Sequence, residues 1–336
     1  MTESERKRRA ALHAAGGGPL VVSAPENVRW LLCGRGRPVD VGGADYAVVL
    51  DGDSARVVFA DIERSRVEAE ERLGELGYEL SPYPWHEGRG LLSDGEVDLA
   101  PIRQALCPEE VARYRAAGAD AAAAFVEALG MLRPEMTEIE AAGEVARATR
   151  ARGLVARVNL VGGEARQPIH RHPIPTPAPL GRHALLAFTV ERDGLHVSMT
   201  RIVSFGPPPA RLAELVRVSA EVDAAVIEAS RPSRTHGELF EVIADAYERE
   251  GFPEEWRLHH QGGLTGYKGR EIFAVPGEPT ALPPVGAVAW NPSISGGGKS
   301  EDTVLVTAAG HEVLTRTREL GELGTLGLPR PAIVEL

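Results

Sequence analysis

The sequence predicts an α+β protein with two domains, a small N-terminal α/β domain and a larger domain of helices packed on a curved antiparallel sheet. The chain has 336 residues, which is long for one domain and ample for two. Its first part alternates short β-rich runs with Gly and Asp turns, and its second part contains a repeated helix-opening pattern. These observations together favour two separately built domains over one large sheet.

The N-terminal domain is predicted to span residues 1–104. An amphipathic helix is expected at residues 61–77, where it stops at a glycine, and residues 87–98 have the Gly- and Asp-rich composition of an interdomain linker. Short β-rich runs bounded by turns predict the strands of this domain. They lie at residues 19–24, 46–50, 56–60 and 78–85.

The second domain, predicted at residues 105–336, contains an internal repeat. Thr137 and Glu140 form a Thr-x-x-Glu capping box at the start of a helix, and Thr235 and Glu238 form the same box farther along the chain. Each box follows a long helix and precedes a helix, a glycine and strands. We therefore predict duplicated ααβ units related by a pseudo-two-fold axis, with a ligand site where the units meet.

Turn signals define the strands of this second domain. Residues 192–194 (Arg-Asp-Gly) and residues 308–310 (Ala-Ala-Gly) are typical of hairpin turns, so the strands on either side of each should be antiparallel. The predicted strands are residues 183–189, 195–205, 270–275, 287–290, 303–307 and 313–317. They would form the curved antiparallel sheet, with the helices packed on one face.

Composition excludes several classes of function. The net charge of −11 disfavours binding to nucleic acid. Two cysteines are too few for a disulfide framework or a cysteine-based zinc site. The start of the chain lacks the apolar core of a secretory signal, and no apolar run approaches the roughly 18 residues that span a membrane. We expect a cytoplasmic protein with no nucleic-acid or membrane partner.

Polar residues suited to proton transfer and recognition fall in four clusters. The densest, residues 258–271, contains His259, His260, Gln261, Tyr267, Arg270 and Glu271. The others are residues 162–172 with His170 and His172, residues 198–201 with Thr200 and Arg201, and residues 291–302 with Asn291, Lys299 and Glu301. Separately, Arg35 and Arg37 lie on a glycine loop that could clamp an anion, with a solvated basic loop as the alternative.

With these clusters the sequence resembles the pita-bread family, which includes methionine aminopeptidase, prolidase, aminopeptidase P and creatinase. The resemblance extends from about residue 105 to residue 317, and residues 23–30 resemble the additional N-terminal domain of the creatinase and aminopeptidase P branch. It implies the pita-bread fold for the second domain. It also implies a homodimer in which the N-terminal domain lies near the partner's site.

The peptidases of this family hold two metal ions with two aspartates, one histidine and two glutamates. By the resemblance, these positions carry Ala187, Ser198, His260 (or His259, if the gap is placed one residue earlier), Asn291 and Glu301. Ala187 offers no ligand atom, and the side chains of Ser198 and Asn291 are neutral, so the lost hydration of two divalent ions would not be compensated. We therefore expect no dinuclear metal site and no cofactor.

Creatinase, which also lacks the metal aspartates, implies a metal-independent reaction in which a histidine shuttles the proton. The matching histidine is His170, and residues 267–271 (Tyr-Lys-Gly-Arg-Glu) are similar to creatinase as well. The two carboxylates with which creatinase holds its guanidinium fall on Thr200 and Asn291. A guanidinium would lose its hydration there with little in return, so creatine is not the expected substrate.

The prediction that follows is a metal-independent, creatinase-like hydrolase or lyase acting on a C–N bond of a small polar substrate derived from an amino acid. The predicted catalytic residues are His170 as proton shuttle, His260, Glu301 and Glu271. The predicted substrate-binding residues are His172, Thr200, Arg201, His259, Gln261, Tyr267, Arg270, Asn291, Arg35 and Arg37.

Two alternatives remain open at this point. A non-catalytic pseudoenzyme that binds a peptide or protein would explain the lost metal ligands, but the density of polar residues at 258–271 argues against a discarded site. An Xaa-Pro aminopeptidase or dipeptidase would need an altered metal site. That site would be built from His170, His172, His260 and Glu301.

Overall fold

The computed structural model describes residues 1–39, 45–87, 97–325 and 327–336, and most of the predicted linker (residues 88–96) lies outside these ranges. The chain divides into two compact units. The first contains residues Met1–Arg113 and Asp193–Leu195, and the second contains Tyr114–Arg192 and His196–Leu336. No helix within the described ranges is both long enough and apolar enough to cross a membrane.

The first unit is a four-stranded sheet with helices. The sheet has the order β1-β2-β3-β4, in which β3 and β4 are parallel and the other neighbours are antiparallel. Its strands are β1 (Leu20–Val22), β2 (Tyr46–Asp51), β3 (Ser54–Ala60) and β4 (Glu79–Tyr83). Its helices are α1 (Glu3–Ala14), α2 (Pro25–Leu31), α3 (Arg64–Arg66) and α4 (Ala100–Arg103). Alternate residues of β3, among them Val57 and Phe59, are buried in the core.

The single helix predicted at residues 61–77 is wrong. The structure has instead a 3₁₀ turn (Asp61–Glu63), the one-turn α3, a π-helical turn (Val67–Glu71) and a second 3₁₀ turn (Leu73–Leu76). Arg72 has a φ of 49°, in the left-handed region, so its backbone interrupts the helical hydrogen-bond ladder. Apolar periodicity indicates helical turns, but it does not indicate the left-handed backbone at Arg72 that separates them.

The second unit contains the predicted repeat. Thr137 Oγ1 accepts a hydrogen bond from the Glu140 amide (3.2 Å), and Thr235 Oγ1 accepts one from the Glu238 amide (3.1 Å). The two threonines also form matching antiparallel bridges, to Pro179 and to Ala281 respectively. The helices are α5 (Pro108–Leu129), α6 (Glu138–Ala151), α7 (Ala210–Ala229) and α8 (His236–Arg249). Both capping boxes are therefore confirmed, each at the start of the second helix of its repeat.

The strands of this unit form two main sheets, antiparallel except that β17 pairs with β7 in parallel. One has the order β17-β7-β6-β5 and the other β14-β13-β10-β8-β9. The strands of the unit are β5 (Val155–Gly163), β6 (His183–Arg192), β7 (Leu195–Ser204), β8 (Gly262–Thr265), β9 (Ile272–Phe273), β10 (Val285–Trp290), β11 (Ser293–Ile294), β12 (Gly298–Lys299), β13 (Asp302–Thr307), β14 (Gly310–Val313), β15 (Glu322–Thr325), β16 (Leu328–Pro331) and β17 (Val334–Glu335).

The two sheets meet at one pair of residues. Thr200 of β7 and Glu301, just before β13, form an antiparallel bridge in which the Thr200 amide donates to the Glu301 carbonyl (3.1 Å). Nearby, Ser198 and Thr303 exchange two hydrogen bonds, of 2.8 and 2.9 Å. The polar residues of both repeats therefore converge where the sheets join, as the duplication predicts.

Candidate active site

Three histidines form a cluster at the surface of the second unit. His259 and His260 follow a 3₁₀ turn (Glu255–Leu258) and precede β8, whereas His172 lies in the segment between β5 and β6. The Nε2 atoms of His259 and His172 are 2.9 Å apart, and the rings of His259 and His260 stack with centroids 4.4 Å apart. We call His172, His259 and His260 the histidine cluster.

The surrounding protein lowers the pKa of all three imidazoles of the histidine cluster, although the side chains of His172 and His260 also reach solvent. Burial, followed by the charge of Lys299, lowers the pKa of His259 far below its usual range, and burial with Arg270 lowers the pKa of His260 to about 4. The pKa of His172 is lowered by burial as well. Two neutral imidazoles joined through their Nε2 atoms share one proton, so one ring donates and the other accepts.

The neighbouring carboxylate, Glu301, is buried and held by three groups. Its Oε2 accepts from the Thr200 hydroxyl (2.7 Å), and its Oε1 accepts from Arg270 Nη2 (2.9 Å). Lys299 Nζ lies 3.9 Å from Oε2. Burial alone would raise the pKa of Glu301, but Lys299 and Arg270 outweigh it and hold that pKa below its ordinary value. Glu301 is therefore ionised and flanked by two cationic side chains.

Lys299 itself is buried, with 4% of its side chain exposed. Burial lowers its pKa, and Glu301 offsets part of that effect. It also lines a cavity of about 40 Å³ together with His170 and Arg171. A cavity of that size holds at least one water molecule. Lys299 thus contributes its ammonium group to the carboxylate of Glu301 and also borders a small cavity.

Arg270 links Glu301 to the sheet of the second unit that contains β6 and β7. Its Nη1 donates to Ser198 Oγ (3.2 Å), which in turn shares a 2.8 Å hydrogen bond with Thr189 Oγ1. Glycines at 262 and 263 bring the strand β8 close to its neighbours, since an added Cβ at either position would lie 2.1 Å from a carbonyl oxygen. The loop that carries Arg270 is therefore positioned by tight backbone packing.

Gln261 and Asn291 lie deeper in the site. The Gln261 side chain accepts from the Tyr247 hydroxyl (3.0 Å) and donates to the His259 carbonyl (2.6 Å), so it positions the backbone of His259. The backbone amide of Asn291 donates to the backbone carbonyl of Gln261 (3.2 Å). Among the described residues, neither Asn291 Oδ1 nor His259 Nδ1 has a hydrogen-bond partner, although both atoms are buried. Such atoms are available to a ligand.

The segment 112–308 matches the family described as metallopeptidase family M24. The chain belongs to this family. The predicted resemblance to the pita-bread enzymes is confirmed, and membership supports the prediction that the protein is a hydrolase. The matched segment covers both repeats up to the end of β13, so it includes the histidine cluster and Glu301.

Two relatives of known name share parts of this chain. An Xaa-Pro dipeptidase of Lactobacillus helveticus is 28% identical over 223 residues, which are 62% of this chain and 59% of that protein. An agropine synthesis cyclase of Rhizobium rhizogenes is 34% identical over 116 residues, which are 32% of this chain and 28% of that protein. The matches thus span less than two thirds of the length of either relative.

Solved structures match almost the whole chain. The dipeptidase PepE from Mycobacterium ulcerans has a TM-score of 0.75 at 19% identity, and the match covers 99% of this chain and 98% of that one. The prolidase from Pyrococcus furiosus has a TM-score of 0.73 at 18% identity, covering 91% of this chain and 98% of that one. At such identities the likeness establishes the fold alone, and it confirms the predicted α+β class with an N-terminal domain.

A metallopeptidase family implies bound metal, and two divalent ions need several anionic or imidazole donor atoms. Three of the five family ligand positions, as the resemblance assigns them, carry Ala187, Ser198 and Asn291. Ala187 has no donor, and the Ser198 hydroxyl is already shared between Thr189 and Arg270. Neutral or missing side chains at these positions supply no negative charge to replace the hydration of the ions.

The remaining charges also oppose a pair of metal ions. Both carboxylate oxygens of Glu301 already accept hydrogen bonds, one from Arg270 and one from Thr200. The cationic groups of Arg270 and Lys299 lie within 4.0 Å of that carboxylate. A divalent ion beside Glu301 would meet their repulsion at short range. The donor set therefore does not fit the dinuclear site of the family's peptidases.

The structure places the other predicted site residues as follows. His170 is exposed, and it is His172 that joins His259 and His260. Arg201 is buried, and its guanidinium donates to Asp302 Oδ1 (2.9 Å) and to the Thr315 carbonyl, which makes it a support for the strand beside Glu301. Glu271 Oε1 accepts from the Lys268 amide (3.2 Å) and so helps close the turn between β8 and β9.

Tyr267, Arg35 and Arg37 complete the predicted set. Tyr267 is buried in the same turn. In the first unit, Arg35 donates to the Arg72 carbonyl (2.8 Å), and Arg37 Nε pairs with Glu71 (3.0 Å). Their predicted anion-binding role stays a prediction, because each already has partners of its own unit.

Sequence reasoning gave no role to two residues that the site uses. Lys299 stands two residues before Glu301, a spacing that puts two side chains on the same face of an extended segment, and this signal could have indicated their approach. Tyr247 was not considered, and its hydroxyl donates to Gln261 and accepts from the Ser293 amide (2.8 Å). The sequence indicates only that Tyr247 lies on the buried face of α8, and the same periodicity marks every core residue of that helix.

Proposed function

We propose that this protein cleaves a C–N bond of a small amino-acid-derived molecule that carries a carboxylate, by hydrolysis or elimination and without a metal ion. The observation that carries the proposal is the pairing of Glu301 with Arg270 (2.9 Å) and Lys299 (3.9 Å). By the resemblance, Glu301 is the position where the family's peptidases bind metal. Arg270 and Lys299, fixed beside Glu301, provide positive charge that can bind a substrate without a metal ion.

The charges of the site favour an anionic group on the substrate. Glu301 carries one negative charge, whereas Arg270 and Lys299 together carry two positive charges, and the histidine cluster is neutral. Among these described groups, the positive charges exceed the negative charges by one. A carboxylate would form a charge-assisted pair with Lys299, whose ammonium group has given up most of its hydration.

Proton transfer is assigned to the histidine cluster. In hydrolysis, the oxygen of a water molecule bonds to the carbon of the scissile bond while a neutral imidazole takes the water proton. The C–N bond then breaks, its electron pair goes to nitrogen, and the imidazole returns the proton to that nitrogen. His260 suits this role, since its ring is neutral and exposed. The 2.9 Å contact of His259 with His172 gives a second route for the proton.

The assignment of the proton shuttle to His170, made from the sequence, has a structural competitor. His172 lies in the cluster, whereas His170 is exposed and lines the small cavity beside Lys299. Comparing His170→Ala with His172→Ala separates the two positions. We expect the greater loss of turnover for His172→Ala.

The names of the relatives are consistent with this class of reaction. A dipeptidase cleaves a C–N bond, and the other relative is named for a cyclisation rather than for peptide cleavage. Members that resemble this chain therefore include more than one kind of chemistry. Small acyl and amidino derivatives of amino acids are the substrates to screen first.

The test uses chelator-treated protein and a panel of such derivatives, with Xaa-Pro dipeptides included, and detects products by mass spectrometry. We expect turnover that survives the chelator and falls by about 10² or more in His260→Ala and in Lys299→Met. The exposed His13, on α1, provides the control variant His13→Ala. Turnover that appears only when Mn²⁺ or Co²⁺ is restored would overturn the metal-independent proposal. Binding with no product from any compound would favour a non-catalytic binding protein.

A further inference from the structure

We propose that the histidine cluster is a binding site for one divalent transition-metal ion such as zinc. One ring nitrogen from each of His172, His259 and His260 lies within 4.8 Å of the other two. This set differs from the metal site of the family's peptidases, because it consists of imidazoles alone and shares only one histidine with that site.

The geometry is close to what zinc needs. Zn–N bonds of about 2.0–2.1 Å in a tetrahedron place ligand nitrogens about 3.3 Å apart. The Nε2 atoms of His172 and His259 are 2.9 Å apart, so they need to separate by only a few tenths of an ångström. The His260 nitrogen lies within 4.8 Å of the other two, and its exposed ring has room to adjust, whereas the buried His259 provides a fixed point.

Three histidines with an open side are the ligand set of a mononuclear zinc site. His172 and His260 are exposed, so a fourth coordination position faces solvent and can take water. Imidazole ligands select zinc, copper and nickel over magnesium, calcium and manganese, which prefer oxygen. The site should therefore discriminate against the ions that need carboxylates.

The surrounding charges set the limit on affinity. Lys299 lies near all three rings and repels a cation, whereas Glu301 lies near His172 and His260 and attracts one. Arg171 is already paired with Glu255, which reduces its repulsion. Arg270 also lies near His260 and repels a cation, so repulsion exceeds attraction. The imidazole bonds must outweigh this repulsion, and binding should be weaker than in a site with added carboxylate ligands.

An ion in the histidine cluster has a consequence for the proposed function. An imidazole nitrogen bonded to a metal has no free lone pair and cannot accept a proton. Zinc should therefore inhibit the metal-independent reaction, an expectation that rests on the proposed function. The binding site itself rests on the geometry of the three rings.

Binding is tested by calorimetric titration of chelator-stripped protein, carrying no histidine tag, with zinc and separately with manganese. We expect one zinc ion per chain and no measurable heat with manganese. His172→Ala and His259→Ala should each weaken zinc binding by at least about tenfold, whereas His13→Ala should leave it unchanged. Thermal unfolding of each variant without metal shows whether it is folded. The visible absorption of tetrahedral Co²⁺ gives a second readout that does not depend on activity.

Two results would overturn the inference. One is the failure of folded wild-type protein to bind a stoichiometric zinc ion, and the other is equal binding by the wild type and by a folded His172→Ala/His259→Ala double variant. Neither requires a substrate. If the chelated protein shows no turnover but binds zinc through these histidines, the proposed function fails and the zinc site stands.

Discussion

Replacing Arg270 by methionine should destabilise the second unit by about 3 kcal/mol. The Arg270 and Glu301 side chains are 10% and 7% exposed and are joined by a 2.9 Å contact. Removing one partner of a buried ion pair costs about 3–5 kcal/mol, because the other charge stays buried. Lys299, 3.9 Å from Glu301, still compensates part of that charge, which places the expected value at the lower end.

The assay is thermal unfolding followed by near-ultraviolet circular dichroism. A loss of about 3 kcal/mol lowers the midpoint by about 6–12 °C in a unit of this size. Arg115→Met is the matched control, since Arg115 forms a 2.8 Å pair with Glu312 that is exposed and contributes at most about 1 kcal/mol. The double variant Arg270→Met/Glu301→Gln should not regain the loss, because the buried Lys299 then loses the carboxylate beside it. Equal shifts for the two single arginine variants would refute the reasoning.

Three further predictions concern the same unit. Burial lowers the pKa of His260 from 6.5 to about 4, so between these pH values the unfolded chain binds more protons than the folded chain. The free energy of unfolding should therefore fall as the pH drops from 6.5 to 4. Denaturant titrations at several pH values should show a smaller fall for His260→Gln. Asp223→Asn, which leaves the fully buried Arg330 with Asp302 as its remaining carboxylate partner, should cost about 3 kcal/mol. The exposed Asp245→Asn should stay within about 0.5 kcal/mol. Gly262→Ala should prevent a stable fold, since its Cβ would lie 2.1 Å from a carbonyl oxygen, and the soluble yield should drop. Gly143→Ala, in the open middle of α6, should stabilise the protein by about 0.5–1 kcal/mol and raise its thermal midpoint.

Local signals in the sequence predicted much of the fold. The capping boxes at Thr137 and Thr235 were readable because they depend on four consecutive residues. The strands predicted at 183–189 and 195–205 were readable because β-branched runs end at an Asp-Gly turn. The strand predicted at 313–317 is wrong in position, since β14 begins at the turn glycine and spans Gly310–Val313. The helix expected at 61–77 was not realised, since the left-handed backbone of Arg72 follows from its surroundings and not from its residue type.

The site was predictable in its residue types but not in its pairings. The sequence placed His259, His260 and Glu301 in candidate clusters, yet it favoured His170 over His172. Those two histidines lie two residues apart in a segment with no regular strand or helix, so no periodicity indicates which one faces the cluster. The approach of Arg270 to Glu301 joins segments 31 residues apart, and it became visible only in three dimensions.

The most direct test of the account is a crystal structure of the protein grown or soaked with excess Mn²⁺, with anomalous data collected to locate the ions. We predict no pair of ions beside Glu301, with Arg270 and Thr200 still bonded to its two oxygens. Two ions bridged by the Glu301 carboxylate, with the Arg270 side chain displaced, would contradict the account.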